Sequence, residues 1–382
     1  MISWPEEAVM VRVPATSANL GPGFDALGLA LTLYDDLEVY ATSGGLVIEA
    51  SGEGADTADA GEDHLIVRAM RAAFAAAGSQ PPGLALRCVN RIPHGRGLGS
   101  SAAAIVAGVL AARELLSRGA GGAPDGTPGL TDDEVFALAA GVEGHPDNVA
   151  ACLAGGLTIA WLEDGGPRLV RMSPLPGITP VVCIAPDALA TTQARQALPE
   201  TVRHADAAAN AGRSALLVAA LTADPDPAVL LAATQDLLHQ PYRAPVMLGT
   251  ASLVGRLRAA RIPAVVSGAG PSVLAFLTAD SAGLDVLGSI VGETGSAWLI
   301  SPLDVDSQGA SVEFGAPDAQ SGNSPRKAWS GCGLGRMRSR SVAPPPETQD
   351  RWSASATHGQ LSREHRGLSW CWSGEYRGLS WC

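Results

Sequence analysis

One stretch decides how the rest of the chain is interpreted: Arg91-Ile92-Pro93-His94-Gly95-Arg96-Gly97-Leu98-Gly99-Ser100-Ser101-Ala102-Ala103. Residues 84–89 precede it as an apolar run that predicts a strand, and residues 104–112 follow it as a run that predicts a buried helix. Its three alternating glycines let the backbone turn sharply and let a ligand approach the main chain. Two serines stand where the helix begins, and the unpaired N–H groups of a helix start can bind phosphate. The stretch therefore predicts a phosphate-binding loop, with a glycine-rich turn that holds no ligand as the alternative.

Two better-known glycine-rich loops are excluded by the residues present. A Walker loop ends in Gly-Lys-Ser/Thr, whereas the only lysine of the chain is Lys327. A dinucleotide fingerprint has the order G-x-G-x-x-G, whereas Ser100 stands where its last glycine would be. Either hydroxyl, that of Ser100 or that of Ser101, could cap the helix or reach a metal ion or a phosphate.

The composition excludes several classes of partner. The 382 residues carry a formal net charge of −12, which argues against nucleic acid and against an anionic membrane surface. Hydrophobic residues make up 46%, enough for real cores, and the length suggests more than one domain. The six cysteines form no C-x-x-C pair, so reduced thiols are expected. The N-terminus has no signal-peptide pattern, and the uncharged run at residues 97–112 is too short and too rich in glycine to span a bilayer. These features predict a cytoplasmic protein.

A second loop, residues 14–28, follows the first predicted strand, residues 9–13. It is longer than a connection between strands requires and is rich in turn-forming residues. Its Asn19 and Asp25 are suited to hold an amine or a hydroxyl. Short polar side chains in turns also often do no more than satisfy the local backbone, and the residues alone leave both interpretations open.

A third polar cluster ends a predicted helix whose start, Thr131 to Glu134, has capping-box spacing. Glu143, His145, Asp147 and Asn148 fall within six residues, beside a helix-breaking proline. One carboxylate, together with phosphates and water, is a common way to hold Mg²⁺. The alternative is a polar helix end at which Asp147 or Asn148 caps the next turn.

These motifs resemble those of a known family. Residues 93–103, Pro-x-x-x-Gly-Leu-Gly-Ser-Ser-Ala-Ala, resemble the ATP loop of the GHMP kinases (galactose, homoserine, mevalonate and phosphomevalonate kinases). Residues 14–25 are similar to the opening motif of the homoserine kinases within that family, and residues 265–273 look like the third GHMP motif. The resemblance covers residues 9–312. It implies an α+β, two-domain GHMP kinase fold, with an N-terminal ATP-binding domain like ribosomal protein S5 domain 2 (1–175) and a ferredoxin-like C-terminal domain (176–314).

The resemblance also implies a reaction in which ATP and L-homoserine give ADP and O-phospho-L-homoserine, a step towards threonine. ATP would lie on the loop, and Mg²⁺ would be held by Glu143 with Ser101, although the choice between Ser100 and Ser101 stays open. The residues that would hold the nucleotide are those of the motif itself: Pro93, His94, Gly95, Arg96, Gly97, Leu98, Gly99, Ser100, Ser101, Ala102 and Ala103.

Seven residues match the homoserine contacts of the family: Asn19, Asp25, His145, Asp147, Asn148, Arg195 and Arg243. The two arginines match those that bind the substrate carboxylate, as bidentate guanidinium groups can. Asp25 is also a candidate for the catalytic base, although the resemblance to homoserine kinases implies a reaction without a dedicated base. His64 is interpreted as a helix-start residue outside the site.

Two alternatives to a homoserine kinase stay open. Another GHMP kinase would act on a different acceptor, and a catalytically inactive sensor would bind ATP or an amino acid without turnover. The intact Glu143 and both serines argue against the sensor. The expected partner is the small-molecule substrate, with neither nucleic acid nor membrane, and a homodimer is left open.

Residues 315–382 differ from the rest of the chain. They contain no Ile or Phe but five of the eight Trp, and a six-residue sequence, Arg-Gly-Leu-Ser-Trp-Cys, occurs at 366–371 and again at 377–382. Too few aliphatic side chains are present to form a core, so a disordered extension is predicted. A shifted reading frame or a genomic extension would explain this composition, and a Trp/Arg peptide for a partner is the alternative.

Overall fold

The computed structural model of the chain describes residues 4–56, 61–119, 129–223, 225–278 and 282–315. All of them belong to one compact unit, residues 1–329, and the second unit, residues 330–382, lies outside the described residues. Residues 120–128 also lie outside the described residues, and so does the predicted extension beyond residue 315.

A seven-stranded sheet organises the first part of the chain. Its strands are β1 (Ala8–Ala18), β2 (Leu27–Thr42), β3 (Gly45–Gly52), β4 (Gly83–Asn90), β5 (Leu157–Glu163), β6 (Gly166–Met172) and β11 (Ser311–Gly315). Five of them follow the order β11-β1-β2-β4-β3, while β5 pairs with the far end of β2 and with β6. The pairs are antiparallel except β3 with β4.

The first strand is longer than the sequence predicts. Residues 14–18 are interpreted from sequence as loop, yet β1 continues through them to Ala18. The pairing with β2 shifts register between Pro14 and Ala15, so a β-bulge accommodates the proline, which has no N–H to donate. The connecting loop therefore begins at Asn19, at the end of a buried strand.

Four helices accompany this sheet: α1 (Leu65–Ala76), α2 (Ser100–Gly119), α3 (Asp132–Glu143) and α4 (Asp147–Ala154). The predicted capping box is confirmed at α3, because the Thr131 side chain accepts the Glu134 N–H and the Glu134 carboxylate accepts the Thr131 N–H. Among the described helices of at least 18 residues, α2 alone is apolar enough to cross a membrane, but 67% of its apolar window is buried inside the protein. Its apolar face is thus explained by the core, where α2 packs against α1 and β1.

A second, four-stranded antiparallel sheet consists of β7 (Ile178–Ile184), β8 (Ala264–Val266), β9 (Val273–Thr278) and β10 (Leu299–Pro302). Its strands follow the order β10-β7-β9-β8. Six helices accompany it: α5 (Thr191–Gln196), α6 (His204–Thr222), α7 (Pro227–Ala233), α8 (Gln240–Arg243), α9 (Leu248–Ala259) and α10 (Ala282–Gly292). The described chain is α+β, as predicted.

The last described strand, β11, returns to the first sheet and pairs with β1 from Ala8 to Arg12. No strand is predicted from the sequence at residues 311–315, although apolar Val312 and Phe314 alternate there with polar Ser311 and Glu313. The predicted boundary at 175/176 falls between β6 and β7, hence between the two sheets. The division of the chain into domains stays a prediction.

Candidate active site

The glycine-rich loop is held close to two other segments. Gly95, Gly97 and Gly99 all have φ between +65° and +73°, which side chains rarely adopt. A Cβ at Gly97 would overlap the Ser267 carbonyl oxygen, and one at Gly99 would overlap the Thr16 hydroxyl. The Ser267 hydroxyl donates to the Gly97 carbonyl at 2.7 Å, and the Thr16 N–H donates to the Leu98 carbonyl at 3.0 Å. The loop therefore has no room for side chains at these positions, and it leads directly into α2 at Ser100.

A cavity of about 360 Å³ lies on one side of this helix start. One part of its lining is apolar, supplied by β1, β2, α1 and α2, and another part is polar. The polar lining residues are Asp35, Asp36, Asp63, His64, Asn90, His94, Ser100 and Ser101.

A smaller cavity, about 140 Å³, lies on the other side and shares Ser100 and Ser101 with the first. It brings together all seven predicted homoserine contacts with Glu143 and with the loop glycines. Of the eleven residues predicted to hold the nucleotide, four line neither cavity, namely Pro93, Arg96, Leu98 and Ala102. Leu98 and Ala102 are buried core residues that support the loop from behind.

Ser101 and Glu143 face each other across the helix start. The Ser101 hydroxyl donates to Glu143 Oε2 at 2.7 Å. Burial raises the pKa of the Glu143 carboxyl, and the Ser101 hydrogen bond opposes that shift. A carboxylate beside a hydroxyl is an oxygen donor set of the kind Mg²⁺ prefers. Within the described residues no group of three or more His, Cys, Asp or Glu side chains is placed to hold a metal on its own, so further ligands would have to come from substrate and water.

His145 is held by Asp147. Its Nδ1 lies 2.9 Å from Asp147 Oδ1, and this hydrogen bond is the main reason why the pKa of His145 is raised. The same Asp147 oxygen accepts the Asn148 N–H at 2.8 Å at the start of α4. Asn148 Oδ1 in turn accepts the Thr16 hydroxyl at 2.7 Å. The two interpretations of this cluster are therefore compatible, since the same groups order a helix start and line the cavity.

Asn19 is a turn-forming residue in this structure. It has φ +66°, its Oδ1 accepts the Asp25 N–H at 2.9 Å, and its Nδ2 donates to the Gly268 carbonyl at 2.8 Å. Its amide thus links the loop after β1 to the turn between β8 and β9. Asn19 lines the cavity, but its described hydrogen bonds go to the backbone.

Asp25 and Arg195 form an ion pair inside the cavity lining. Arg195 Nη2 donates to Asp25 Oδ1 at 2.9 Å, and Nη1 donates to Oδ2 at 3.3 Å. The side chains are 38% and 39% exposed, so both groups can be reached from the cavity. Asp25 has φ +54°, a left-handed backbone conformation that is uncommon for residues other than glycine.

Arg243 is almost completely buried, with 1% of its surface exposed. Its Nε donates to the Ala194 carbonyl at 3.2 Å, and its Nη1 donates to His239 Nδ1 at 3.0 Å. Within the described residues no hydrogen bond reaches Nη2. Burial lowers the pKa of Arg243, and Arg195 adds to this effect through charge repulsion. Two guanidinium groups thus line one small cavity, an arrangement that favours an anionic ligand between them.

Several lining residues are not predicted as site residues from the sequence. His64 lines the larger cavity, although it is interpreted from sequence as a helix-start residue only; it does stand at the N-cap of α1, where its side chain caps nothing. Gly268, Ala269 and Gly270 line the smaller cavity, and the glycine turn that contains them is the signal that could have identified them. Thr16, which binds Asn148, carries no such signal.

Comparison with known proteins assigns the family. The family profile described as "GHMP kinases N terminal domain" matches residues 64–156, which include the loop and Glu143. A homoserine kinase of Streptomyces avermitilis is 55% identical over 305 residues, which cover 80% of this chain and 95% of that protein. The chain belongs to the homoserine kinase family. A homoserine kinase of Clavibacter michiganensis is 47% identical over 306 residues, covering 80% of this chain and 94% of that protein.

Solved structures confirm the fold that the family name implies. A homoserine kinase structure from Cytophaga hutchinsonii superposes with a TM-score of 0.70 at 24% identity, covering 82% of this chain and 99% of that one. A phosphomevalonate kinase from Streptococcus pneumoniae superposes with a TM-score of 0.54 at 15% identity, covering 78% and 99%. The predicted GHMP kinase fold is therefore confirmed, and these likenesses concern the fold alone.

Proposed function

We propose that this chain transfers the γ-phosphoryl group of ATP to the hydroxyl of L-homoserine and releases ADP and O-phospho-L-homoserine. One observation carries the proposal: a single small cavity combines Asp25, Arg195 and Arg243 with the glycine-rich loop and the start of α2. An acid and two arginines suit the ammonium and carboxylate of an amino acid, while a helix start suits phosphate. The names of the similar proteins support the same reaction.

The larger cavity and the loop are assigned to ATP. The nucleoside fits the cavity between β2, α1 and α2, whose lining is partly apolar. The triphosphate fits over the loop, because glycines at 95, 97 and 99 expose the main chain and α2 begins beside them. Ser100 and Ser101 belong to both cavities, so they mark the place where the terminal phosphate would meet the acceptor.

Glu143 and Ser101 are assigned to Mg²⁺. The 2.7 Å hydrogen bond between them shows that their oxygens lie close enough to serve one ion together, and Ser100 is the alternative to Ser101. When bound, Mg²⁺ neutralises phosphate charge during transfer. Burial of Glu143 fits this role, because a half-buried carboxylate gains a partner when a cation is present.

The charges of Asp25 and Arg195 are complementary to the ammonium and the carboxylate of an amino acid. We assign the substrate ammonium to Asp25 and the substrate carboxylate to Arg195 and Arg243, so that the incoming zwitterion replaces contacts the two side chains make with each other. His145 and Asp147 would face the rest of the substrate, and Asn19 and Asn148 would support the backbone around it.

The chemistry is assigned mainly to positioning. Phosphoryl transfer needs the acceptor oxygen in line with the phosphate and the developing charge neutralised. Lysine-assisted activation has no candidate here, since Lys327 is the only lysine of the chain. Asp25 is the proposed acceptor for the hydroxyl proton, and the raised pKa of His145 favours an imidazolium that offsets phosphate charge.

The test is ADP release by the purified protein with ATP, Mg²⁺ and one acceptor from a panel of homoserine, mevalonate, galactose and shikimate. Homoserine should be the acceptor with the highest kcat/KM. Preference for another member of the panel would assign a different GHMP kinase activity. Binding of ATP and homoserine by calorimetry without any ADP release would identify a sensor and overturn the proposal.

We also propose a soluble, cytoplasmic enzyme whose expected partner is its small-molecule substrate. The burial of α2 inside the protein supports solubility. Sedimentation velocity of the purified protein without detergent tests solubility, and an insoluble product would contradict it.

A further inference from the structure

Behind the substrate cavity lies a cluster of buried polar side chains that the proposed reaction does not use. Asp236, His239 and Asn210 are 7%, 0% and 1% exposed. His239 and Asn210 each contact both the loop after β1, which carries Asp25, and the segment around α8, which carries Arg243.

His239 makes the more direct connection. Its Nε2 lies 2.9 Å from the Gly21 carbonyl, and its Nδ1 lies 3.0 Å from Arg243 Nη1. A guanidinium has only donors, so Nδ1 must accept and Nε2 must carry the proton that it donates to Gly21. The ring also stacks on Phe24 with centroids 5.1 Å apart, and the Arg243 guanidinium lies 5.4 Å from the same phenyl ring.

Asn210 and Asp236 complete the connection. Asn210 Nδ2 donates to the Pro22 carbonyl at 2.7 Å, and its Oδ1 accepts the Leu237 N–H at 3.0 Å. Asp236 accepts the N–H groups of Leu238, His239 and Gln240 at 2.7–3.0 Å and so orders the start of α8. Each of these side chains has its polar atoms engaged, which makes the arrangement rigid.

We infer that His239, with Asn210, is a positioning residue for the amino-acid substrate, because it sets the separation between the loop of Asp25 and the guanidinium of Arg243. This inference rests on the proposed function, in which the two charges of the substrate meet those two side chains. The inferred role goes beyond the proposed function, because neither His239 nor Asn210 lines the cavity. They act only through residues that do.

The experiment is a double-mutant cycle of His239→Leu and Arg243→Ala, with KM measured separately for homoserine and ATP. His239→Leu should raise the KM for homoserine by about tenfold, the effect of one misplaced charge-assisted contact, and leave the KM for ATP within about twofold. Because His239 acts through Arg243, the double variant should resemble Arg243→Ala alone. His239→Gln, which can donate to Gly21 and accept from Arg243, should restore part of the loss.

Three results separate this inference from the alternatives. Additive effects in the cycle, or equal losses for both substrates, would overturn it. A lower Tm with an unchanged KM for homoserine would also overturn it, and Asp226→Ala, which removes the remote cap of α7, provides the matched control for such a loss of stability. If His239→Leu does not fold, the cycle is repeated with His239→Asn, which is too short to reach both partners. Failure of the wild-type protein to phosphorylate homoserine would instead reject the proposed function.

Discussion

At the scale of single residues, the two arginines of the small cavity differ in exposure. Arg195 is 39% exposed and shares its guanidinium with Asp25, whereas Arg243 is buried and braced by His239 and the Ala194 carbonyl. Arg195 can therefore adjust to an incoming carboxylate, while Arg243 presents a fixed charge. Such a pair combines an adaptable contact with a rigid one, so both should contribute to affinity.

Replacing either arginine by alanine should raise the KM for homoserine far more than the KM for ATP. Losing one charge-assisted contact costs about 1.5–3 kcal/mol, or roughly ten- to a hundredfold in binding. Steady-state kinetics and calorimetry with homoserine measure the effect. Arg203→Ala, at an exposed position beside α6, is the matched control and should change neither constant. Normal homoserine binding by either alanine variant would remove that arginine from the carboxylate site.

Glu143→Gln tests the assigned metal site at nearly constant shape. The amide removes the charge while leaving an oxygen near Ser101, so turnover should fall steeply and ATP binding much less. Raising the concentration of Mg²⁺ should restore part of the activity. Glu163→Gln, at a half-exposed surface glutamate, controls for the loss of one negative charge. Wild-type turnover of Glu143→Gln at limiting Mg²⁺ would contradict the assignment.

His145 should contribute a stability that depends on pH. Its pKa is raised in the folded state, chiefly by the hydrogen bond to Asp147, so the protonated form favours folding. That contribution is fully present below the unfolded pKa, for which 6.5 is the ordinary value, and it is lost as pH rises through the higher folded pKa. Urea unfolding of wild type and His145→Gln from about pH 5.5 to about pH 8.5 should show a difference in the free energy of unfolding that shrinks with pH. A difference that is constant over this range would contradict the raised pKa.

Asn19 shows where residue-level prediction from sequence ends. Its presence at the cavity follows from the motif, but its hydrogen bond to the Gly268 carbonyl depends on a turn that lies 249 residues away in sequence. His239 is a similar case, since an isolated histidine in a helical region gives no sign that it bridges Gly21 and Arg243. Contacts of this length are determined by tertiary packing, which periodicity does not report.

At the scale of elements, the backbone of the glycine-rich loop is held by two neighbouring segments, the end of β1 and the turn between β8 and β9. Gly97 has φ +73°, and its carbonyl accepts from the Ser267 hydroxyl, so the loop is joined to the turn between β8 and β9. A turn of the second sheet therefore contributes to the shape of the proposed phosphate site.

Gly97→Ala should therefore weaken ATP binding and lower stability together. The new methyl group would overlap the Ser267 carbonyl in a backbone conformation that alanine adopts at a cost of about 1–3 kcal/mol. Gly141→Ala is the control, because that glycine lies in α3 with open space around it. The substitution should stabilise the helix by about 0.5–1 kcal/mol. Thermal unfolding and ATP titration measure both. An unchanged Kd for ATP in Gly97→Ala would show that the loop tolerates a side chain there.

Elements with strong local signals are predicted well, and those defined by pairing are not. The glycine–serine boundary and the apolar run after it predict α2, and the capping box predicts α3. In contrast, β1 runs through Pro14 because β2 lies opposite it and a bulge absorbs the proline, and β11 forms because β1 has an open edge. Pairing with a neighbouring strand determines the extent of β1 and the formation of β11, and the local sequence contains only part of that information.

At the scale of the whole molecule, the proposed active site lies where the two sheets meet. The Gly268 N–H donates to the Ala18 carbonyl at 3.1 Å, and Ser267 contacts Ser17, so the end of β1 is joined to the β8–β9 turn. Glu143 and the loop come from the first part of the chain, whereas Arg195 and Arg243 come from the second. The proposed acceptor site therefore combines Asp25 and His145 from the first part of the chain with Arg195 and Arg243 from the second.

The end of the described chain gives the last prediction, a pair of truncations on either side of β11. A protein ending at Gly315 keeps β11, its pairing with β1 and the contact of Phe314 with the Arg118 guanidinium. Residues 316–382, which lie outside the described part, are too poor in aliphatic side chains to form a core. Removing them should leave homoserine phosphorylation within about twofold and the Tm nearly unchanged.

A protein ending at Ala310 should behave differently, because β1 would become an unpaired edge and Met10 would lose its partner Glu313. Its Tm should fall by several degrees, and its tendency to associate should rise. Differential scanning calorimetry and the coupled assay on both proteins provide the comparison. If the protein ending at Gly315 already unfolds early or loses activity, the extension packs on the body, and its nine basic residues make the acidic surface of the body the first place to look for the contact.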